Sequence, residues 1–384
     1  MAEPAQHITD PDPAADRPVH GGIKPTELRA LGLRPEDVLD FSASVSPIGQ
    51  PSGVWEAMRN VDLSAYPDPQ CLELREALSR SLTHAEHRPN GVPLDRILVG
   101  NGSTEIIHLL ARAYLSNPLA SSLEGPANSV FLLTPTYGEY QGACRLAGAA
   151  VSCCDVQEGS AFRWDMEDAA QRIRQEQPSL VFVCNPNNPT GVFLQREEVE
   201  ALADASARVG GLLVVDEAYL SFVDEPWDSV SLVDRGNVVL LRSMTKDYAL
   251  TGLRLGYCLA SEEITRRLAS FQPDWSVNGL AQAAGVAALA DTAYLPRARQ
   301  AVEQAKGYLT EQLGKLGFTV YPSAANFLPV RVGDAASWRD NLARKGIFVR
   351  DCTSFGLPEY IRIGIRSLAD CQRLVEAVES LSYS

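Results

Sequence analysis

In the stretch LLRSMTKDYALTGLRLGY (Leu240 to Tyr257), Lys246 follows an apolar run, with Ser243 three residues before it and Arg254 eight after. A lone lysine is ordinarily a surface charge. Burial beside Met244, Tyr248 and Leu250 would instead lower the amine's pKa towards the free base that attacks carbonyl carbons. Three other segments place polar residues directly after an apolar run. DEAY (216–219) follows GLLVV, and an acid so placed needs a cationic or hydrogen-bonding partner, as a salt-bridged strand end or a helix cap would also supply. NPNNPTG (185–191) follows LVFVC; its two Asn-Pro steps make a rigid turn, either a plain connector or a means of fixing side chains. GNGSTE (100–105) follows RILV, where glycines allow close backbone approach and free N–H groups suit a phosphate, although a simple strand-to-helix turn reads the same way. Together these segments offer a phosphate cradle, an asparagine turn, a near-buried acid with Tyr219 beside it, and a desolvated lysine. That set suits an aromatic aldehyde phosphate held through a Schiff base on Lys246.

Positioning these residues requires strands that end together. RILVG (96–100), SVFLL (129–133), AAVSCCDV (149–156), LVFVC (180–184), GLLVVD (211–216) and NVVLLR (237–242) read as strands buried on both faces, and segments such as 103–115 and 195–209 between them carry helical periodicity. Alternation of this kind predicts a mostly parallel α/β sheet, whose ligands bind beyond the carboxyl ends of the strands. The run 116–129 is full of turn formers and predicts a surface loop, and residues 1–19 predict a loose tail. Beyond residue 275 come helical segments at 279–291 and 294–316, strand-like 318–332, a helix near 335–345 and a last strand–helix unit. These predict a smaller α+β domain completed from near the N-terminus. The expected division is a tail at 1–19, an arm and part of the small domain at 20–60, a large domain at 61–275 and a small domain at 276–384.

Composition narrows the function. The net charge of −14, with no basic run, argues against nucleic acid and acidic membranes as partners. No stretch has the apolar length of a membrane span, and the N-terminus lacks a signal-peptide pattern. The eight cysteines lack metal-ligand spacing, and the pair Cys153–Cys154 reads as strand filler, so the expectation is a cytoplasmic protein with reduced thiols and no metal. GNGSTE does not fit the G-x-G-x-x-G spacing of a dinucleotide fold.

NPNNPTG, VVDEAY and SMTKDYALTGLRLGY are similar, in order and spacing, to the three main motifs of the fold-type I pyridoxal-phosphate enzymes, and the chain resembles their class I/II aminotransferase superfamily over roughly residues 20–380. The resemblance implies an aspartate-aminotransferase-like fold: a large domain with a mostly parallel seven-stranded sheet between helices, plus a smaller α+β domain. It implies that Lys246 binds the cofactor and moves the proton at the substrate Cα, that Asp216 pairs with the ring nitrogen, and that Tyr219 and Asn188 bond the ring's 3-oxygen. Tyr137 would stack on the ring, while Gly102, Ser103, Thr104, Ser243 and Arg254 would hold the phosphate. Tyr66 resembles a tyrosine that reaches the partner subunit's cofactor, implying a homodimer with shared sites. Arg362 in YIRIGI matches the arginine that grips the substrate carboxylate, and Arg350 matches one that binds a carboxylate or a distal phosphate.

Within the superfamily the chain is most similar to the histidinol-phosphate aminotransferase and threonine-phosphate decarboxylase branch. HGG (20–22), LDFSASVSP (39–47) and RDCTSFGL (350–357) lean towards the decarboxylase, which makes His20 a candidate substrate contact or else a loop histidine without a role. Ser44 stands where the decarboxylase pattern usually has Asn, followed by Val45 and Ser46, and Ile23 also departs from the pattern. These changes face the substrate and leave its identity open. Transamination of a small polar or phosphorylated amino compound ranks first, Cα decarboxylation second, and elimination or cyclisation third. A retired, non-catalytic fold would commonly have lost Lys246, Asp216 or Arg362, all of which are present.

Overall fold

The computed structural model describes residues 21–85, 91–115, 127–156 and 159–382. In chain order its strands are β1 (Leu39–Asp40), β2 (Ile97–Asn101), β3 (Ala127–Thr134), β4 (Ala150–Asp155), β5 (Pro178–Cys184), β6 (Leu212–Asp216), β7 (Val238–Ser243), β8 (Leu255–Leu259), β9 (Thr319–Val320), β10 (Phe327–Arg331), β11 (Ile347–Phe348), β12 (Arg350–Asp351) and β13 (Tyr360–Gly364). Seven of them form one sheet in the order β2-β8-β7-β6-β5-β3-β4. Strand β8 runs antiparallel to both its neighbours, and every other pairing is parallel.

All five residues of β6 are buried, as a strand covered by helices on both faces requires. Alternation divides them: Leu213 and Val215 enter one apolar core, Leu212 and Val214 the other. The register pairs Cys184 with Asp216 and Asp216 with Leu241, so β5, β6 and β7 finish side by side. The polar residues that follow them are thereby brought to one edge.

A second sheet, β12-β13-β10-β9, is antiparallel, and β1 pairs in parallel with β11. Its core packs against helices Tyr294–Lys315 and Leu368–Ser382. The run 318–332, read as one strand, is two: β9 and β10 are separated by the turn-forming 321–326. Helix Gly279–Ala290 packs Ala281, Ala284 and Ala288 into the same core as Leu74 and Leu255, so the larger sheet's packing continues past residue 275. The 116–129 loop lies mostly outside the described residues; its last three residues belong to β3.

Candidate active site

Beyond the ends of β5, β6 and β7 lies a cavity of about 710 Å³. Its floor is built on Asp216, the last residue of β6, which is 3 % exposed. Tyr140 donates its hydroxyl to Asp216 Oδ2 at 2.7 Å, and the Ala218 N–H donates to Oδ1 at 3.0 Å. Burial pushes the carboxyl pKa up to about 6, against the pull of those two donors. Tyr140 is itself fully buried, stacked on Phe182 at 4.8 Å and edge-on to Tyr137 at 5.5 Å. Tyr137 lines the cavity, and burial pushes its phenol up to about 12.

Lys246 enters from the four-residue turn Met244–Asp247 that follows β7. Its amine pKa is drawn down to about 8, first by burial and then by the Arg362 and Arg254 guanidiniums, while Asp40 and Asp216 act in the opposite direction. The amine is still mostly protonated at pH 7, but its free-base share, the form that attacks carbonyl carbons, is far larger than for an ordinary lysine.

At one end of the cavity Ser103 and Thr104 open helix Gly102–Leu115, where free N–H groups and the helix dipole favour an anion. Ser243, Thr245 and Arg254 line the cavity beside them: Ser243 pairs with Gly256, which packs on Ser103, and Ser243 Oγ and Thr245 Oγ1 lie 2.7 Å apart. Gly102 has φ +74°, a conformation that strains any residue with a side chain, and a Cβ there would also displace the Arg254 Nη2, 2.8 Å away. Gly256 in β8 is also constrained, because a Cβ would lie 2.4 Å from the Ser103 nitrogen.

The same cavity is lined by the substrate candidates Arg362, Arg350 and Ser44 and by Tyr219 and Asn188. Arg362, on β13, donates to Asn188 Oδ1 and, at 2.8 Å, to the Ser42 carbonyl, with its guanidinium 5.1 Å from the Phe327 ring. Among the described residues its buried Nε has no hydrogen-bond partner, nor has the buried Ser44 Oγ. Arg350 is 7 % exposed, donates to Ser354 Oγ at 2.6 Å and lies over Phe355. Tyr219 is buried edge-on to Phe327, and burial pushes its phenol well up. Asn188 belongs to a wholly buried turn: Asn187 donates to the Pro135 carbonyl at 2.9 Å and to Thr190 at 2.8 Å, and Asn185 accepts from the Leu194 N–H at 2.7 Å.

The chain matches the family profile "Aminotransferase class I and II" over residues 36–378. It belongs to that family. It is 35% identical over 365 residues to a histidinol-phosphate aminotransferase of Symbiobacterium thermophilum, covering 93% of this chain and 94% of that one. It is 33% identical over 370 residues to a threonine-phosphate decarboxylase of Salmonella typhimurium, covering 94% and 96%. Among solved structures, histidinol-phosphate aminotransferase from Sinorhizobium meliloti in complex with pyridoxal-5'-phosphate superposes with a TM-score of 0.80 at 26% identity, covering 98% of this chain and 99% of that chain.

The cavity of this aminotransferase-family chain thus gathers Ser103, Thr104, Tyr137, Asn188, Asp216, Tyr219, Ser243, Lys246, Arg254, Arg350, Arg362 and Ser44, with Gly102 packed behind. Tyr66 does not join them: it is 79% exposed and stacks on Trp275 at 4.5 Å. His20 lies outside the described residues. Sequence reasoning missed Thr245 and Tyr140. Both had a visible signal, Thr245 beside the lysine and Tyr140 three residues after Tyr137, the spacing that puts two side chains on one helix face.

Proposed function

We propose that the chain is a pyridoxal-phosphate enzyme acting at the Cα of a small polar or phosphorylated amino compound, and that its reaction is transamination. The donor set fits the cofactor. Asp216 is a buried carboxylate with only neutral donors, and a protonated ring nitrogen is the cation it lacks. The helix end at Ser103 with Ser243, Thr245 and Arg254 suits a phosphate dianion, and Tyr137 offers a flat face to the ring. Bound there, the cofactor supplies an electron sink conjugated to the substrate Cα. Lys246 would hold the cofactor and serve as the acid–base group for the proton at the substrate Cα, and Asp216 would pair with the ring nitrogen. Tyr219 and Asn188 would hold the ring oxygen, and Arg362 would grip the substrate carboxylate with a planar fork that lysine cannot reproduce. The observation that carries this reading is that Lys246 lines one cavity with the buried Asp216 carboxyl, which Tyr140 and the Ala218 N–H hold in place, beside the helix end at Ser103.

A second reading, Cα decarboxylation, draws support from two further arginines of the cavity. Arg350 and Arg362 are both nearly buried there and give two fixed cationic sites for a substrate bearing two anionic groups. Tyr66, exposed and stacked on Trp275, supports a homodimer in which it reaches the partner's site. All eight cysteines are free thiols, which suits a reducing cytoplasm. Among the described residues no helix is long and apolar enough to cross a membrane.

The test is a visible spectrum of the cofactor-loaded protein mixed with single amino acids and phosphorylated amines, without oxo-acid. Bleaching to the pyridoxamine form identifies a transaminase and its donor. Substrate loss with the visible band retained identifies a decarboxylase or lyase. Lys246→Ala should lose both the band and turnover, and full activity in that variant would refute the assignment of this site.

A further inference from the structure

The acid next to Lys246 has no part in the chemistry above. Asp247 lines not the cavity of the lysine amine but a separate one of about 320 Å³ on the other side of the turn. Ser221 Oγ donates to its Oδ2 at 2.9 Å, and the Tyr248 N–H donates to Oδ1 at 2.9 Å. Ser221 belongs to the short turn Leu220–Phe222, which starts directly after Tyr219. The Ser221–Asp247 bond therefore joins the segment that carries Asp216 and Tyr219 to the turn that carries Lys246.

That turn needs such a tie. Met244–Asp247 is a single helical turn, too short to hold its own geometry. Its second tie comes from the N-terminal arm: the Ser46 N–H donates to the Lys246 carbonyl at 2.8 Å, and Tyr294 donates to Ser46 Oγ at 2.8 Å while stacking on Tyr248. The groups facing Asp247 are Arg242, ion-paired with Glu217 at 2.9 Å, and the phenols of Tyr248, Tyr257 and Tyr294. Burial pushes the Asp247 carboxyl up to about 7; either protonation state accepts the Ser221 hydrogen bond.

We propose that Asp247 is a positioning residue, which through Ser221 fixes the Lys246 turn against the Asp216–Tyr219 segment and so sets the approach of the amine. This rests on the reading of Lys246 as the reactive residue. The experiment compares Ser221→Ala, Ser221→Thr, Asp247→Ala and the double Ala variant, all loaded with pyridoxal phosphate. Without substrate, the pH midpoint of the visible band is measured; kcat and KM are then measured with whichever amine of the spectral panel the native protein consumes. Ser221→Ala and Asp247→Ala should move the midpoint in the same direction and lower kcat by roughly ten- to hundred-fold, with KM within about two-fold of the native value. Ser221→Thr, which keeps the hydroxyl, should restore both, and the double variant should be no worse than Asp247→Ala alone. If Ser221→Ala keeps the native midpoint and kcat, the proposal is wrong, even if its melting temperature falls. Should Asp247→Ala fail to fold, the two Ser221 variants decide. Native protein without any visible band would overturn the Lys246 reading instead.

Discussion

Asp216→Asn should make the cofactor-free protein more stable while weakening its cofactor site. The Asp216 carboxyl is held by Tyr140 and the Ala218 N–H, and its pKa is raised from 3.8 to about 6, chiefly by burial. A group whose folded pKa lies above its unfolded one stabilises the fold fully below the unfolded value and loses that contribution as pH rises through the folded value. Two pH units at about 1.4 kcal/mol each make the ionised carboxylate cost about 3 kcal/mol at pH 7. Asn keeps the shape without the charge, its oxygen accepting from the Ala218 N–H and its NH2 donating to a Tyr140 hydroxyl turned to accept, so the cofactor-free variant should gain up to that amount. At about 2.1 cal/mol/K of unfolding entropy per residue, over 384 residues, the gain is worth roughly 4 °C in Tm. It should shrink as pH falls through 6 and vanish near pH 4. With pyridoxal phosphate added the order should reverse, because the amide cannot ion-pair with a protonated ring nitrogen. Thermal melts of stripped and loaded protein from pH 4 to 8 read both effects. A stripped variant no more stable than native at pH 7 would refute the argument that an uncompensated buried carboxylate awaits the cofactor.

Two further substitutions separate the floor of the site from its wall. Tyr140→Phe keeps the stack on Phe182 at 4.8 Å but removes a hydrogen bond to a charged acceptor worth about 1.5–3 kcal/mol, so the Kd for pyridoxal phosphate should rise about ten-fold or more, measured by spectroscopic titration. Arg362→Lys cannot reach Asn188 and the Ser42 carbonyl together, so kcat/KM for a carboxylate-bearing donor should fall roughly a hundred-fold in steady-state kinetics.

What the sequence made legible followed from strong local signals. Six apolar runs marked six strands of the seven-stranded sheet, and the polar residues after three of the parallel ones met at one edge because a parallel register aligns strand ends. Strand β8 was not read from residues, since LGYCL follows directly on the turn TGLR and its Gly256 is set by close packing on Ser103, a contact between distant segments. The same limit hid the partners of the buried acids. An aspartate after five apolar residues announces that it needs a donor, but not that the donor is Tyr140, 76 residues earlier. Asp247 gave a weaker signal still, because an acid one residue after a lysine looks like a solvated charge pair until the fold turns the two side chains into different cavities. Sequence order thus exposes the groups that do the chemistry, which must stand at strand ends. The groups that hold them in place are set by contacts across the fold, and only the structure reveals those. The Ser221–Asp247 bond is of that second kind, so its loss should change how well Lys246 works without changing what it does.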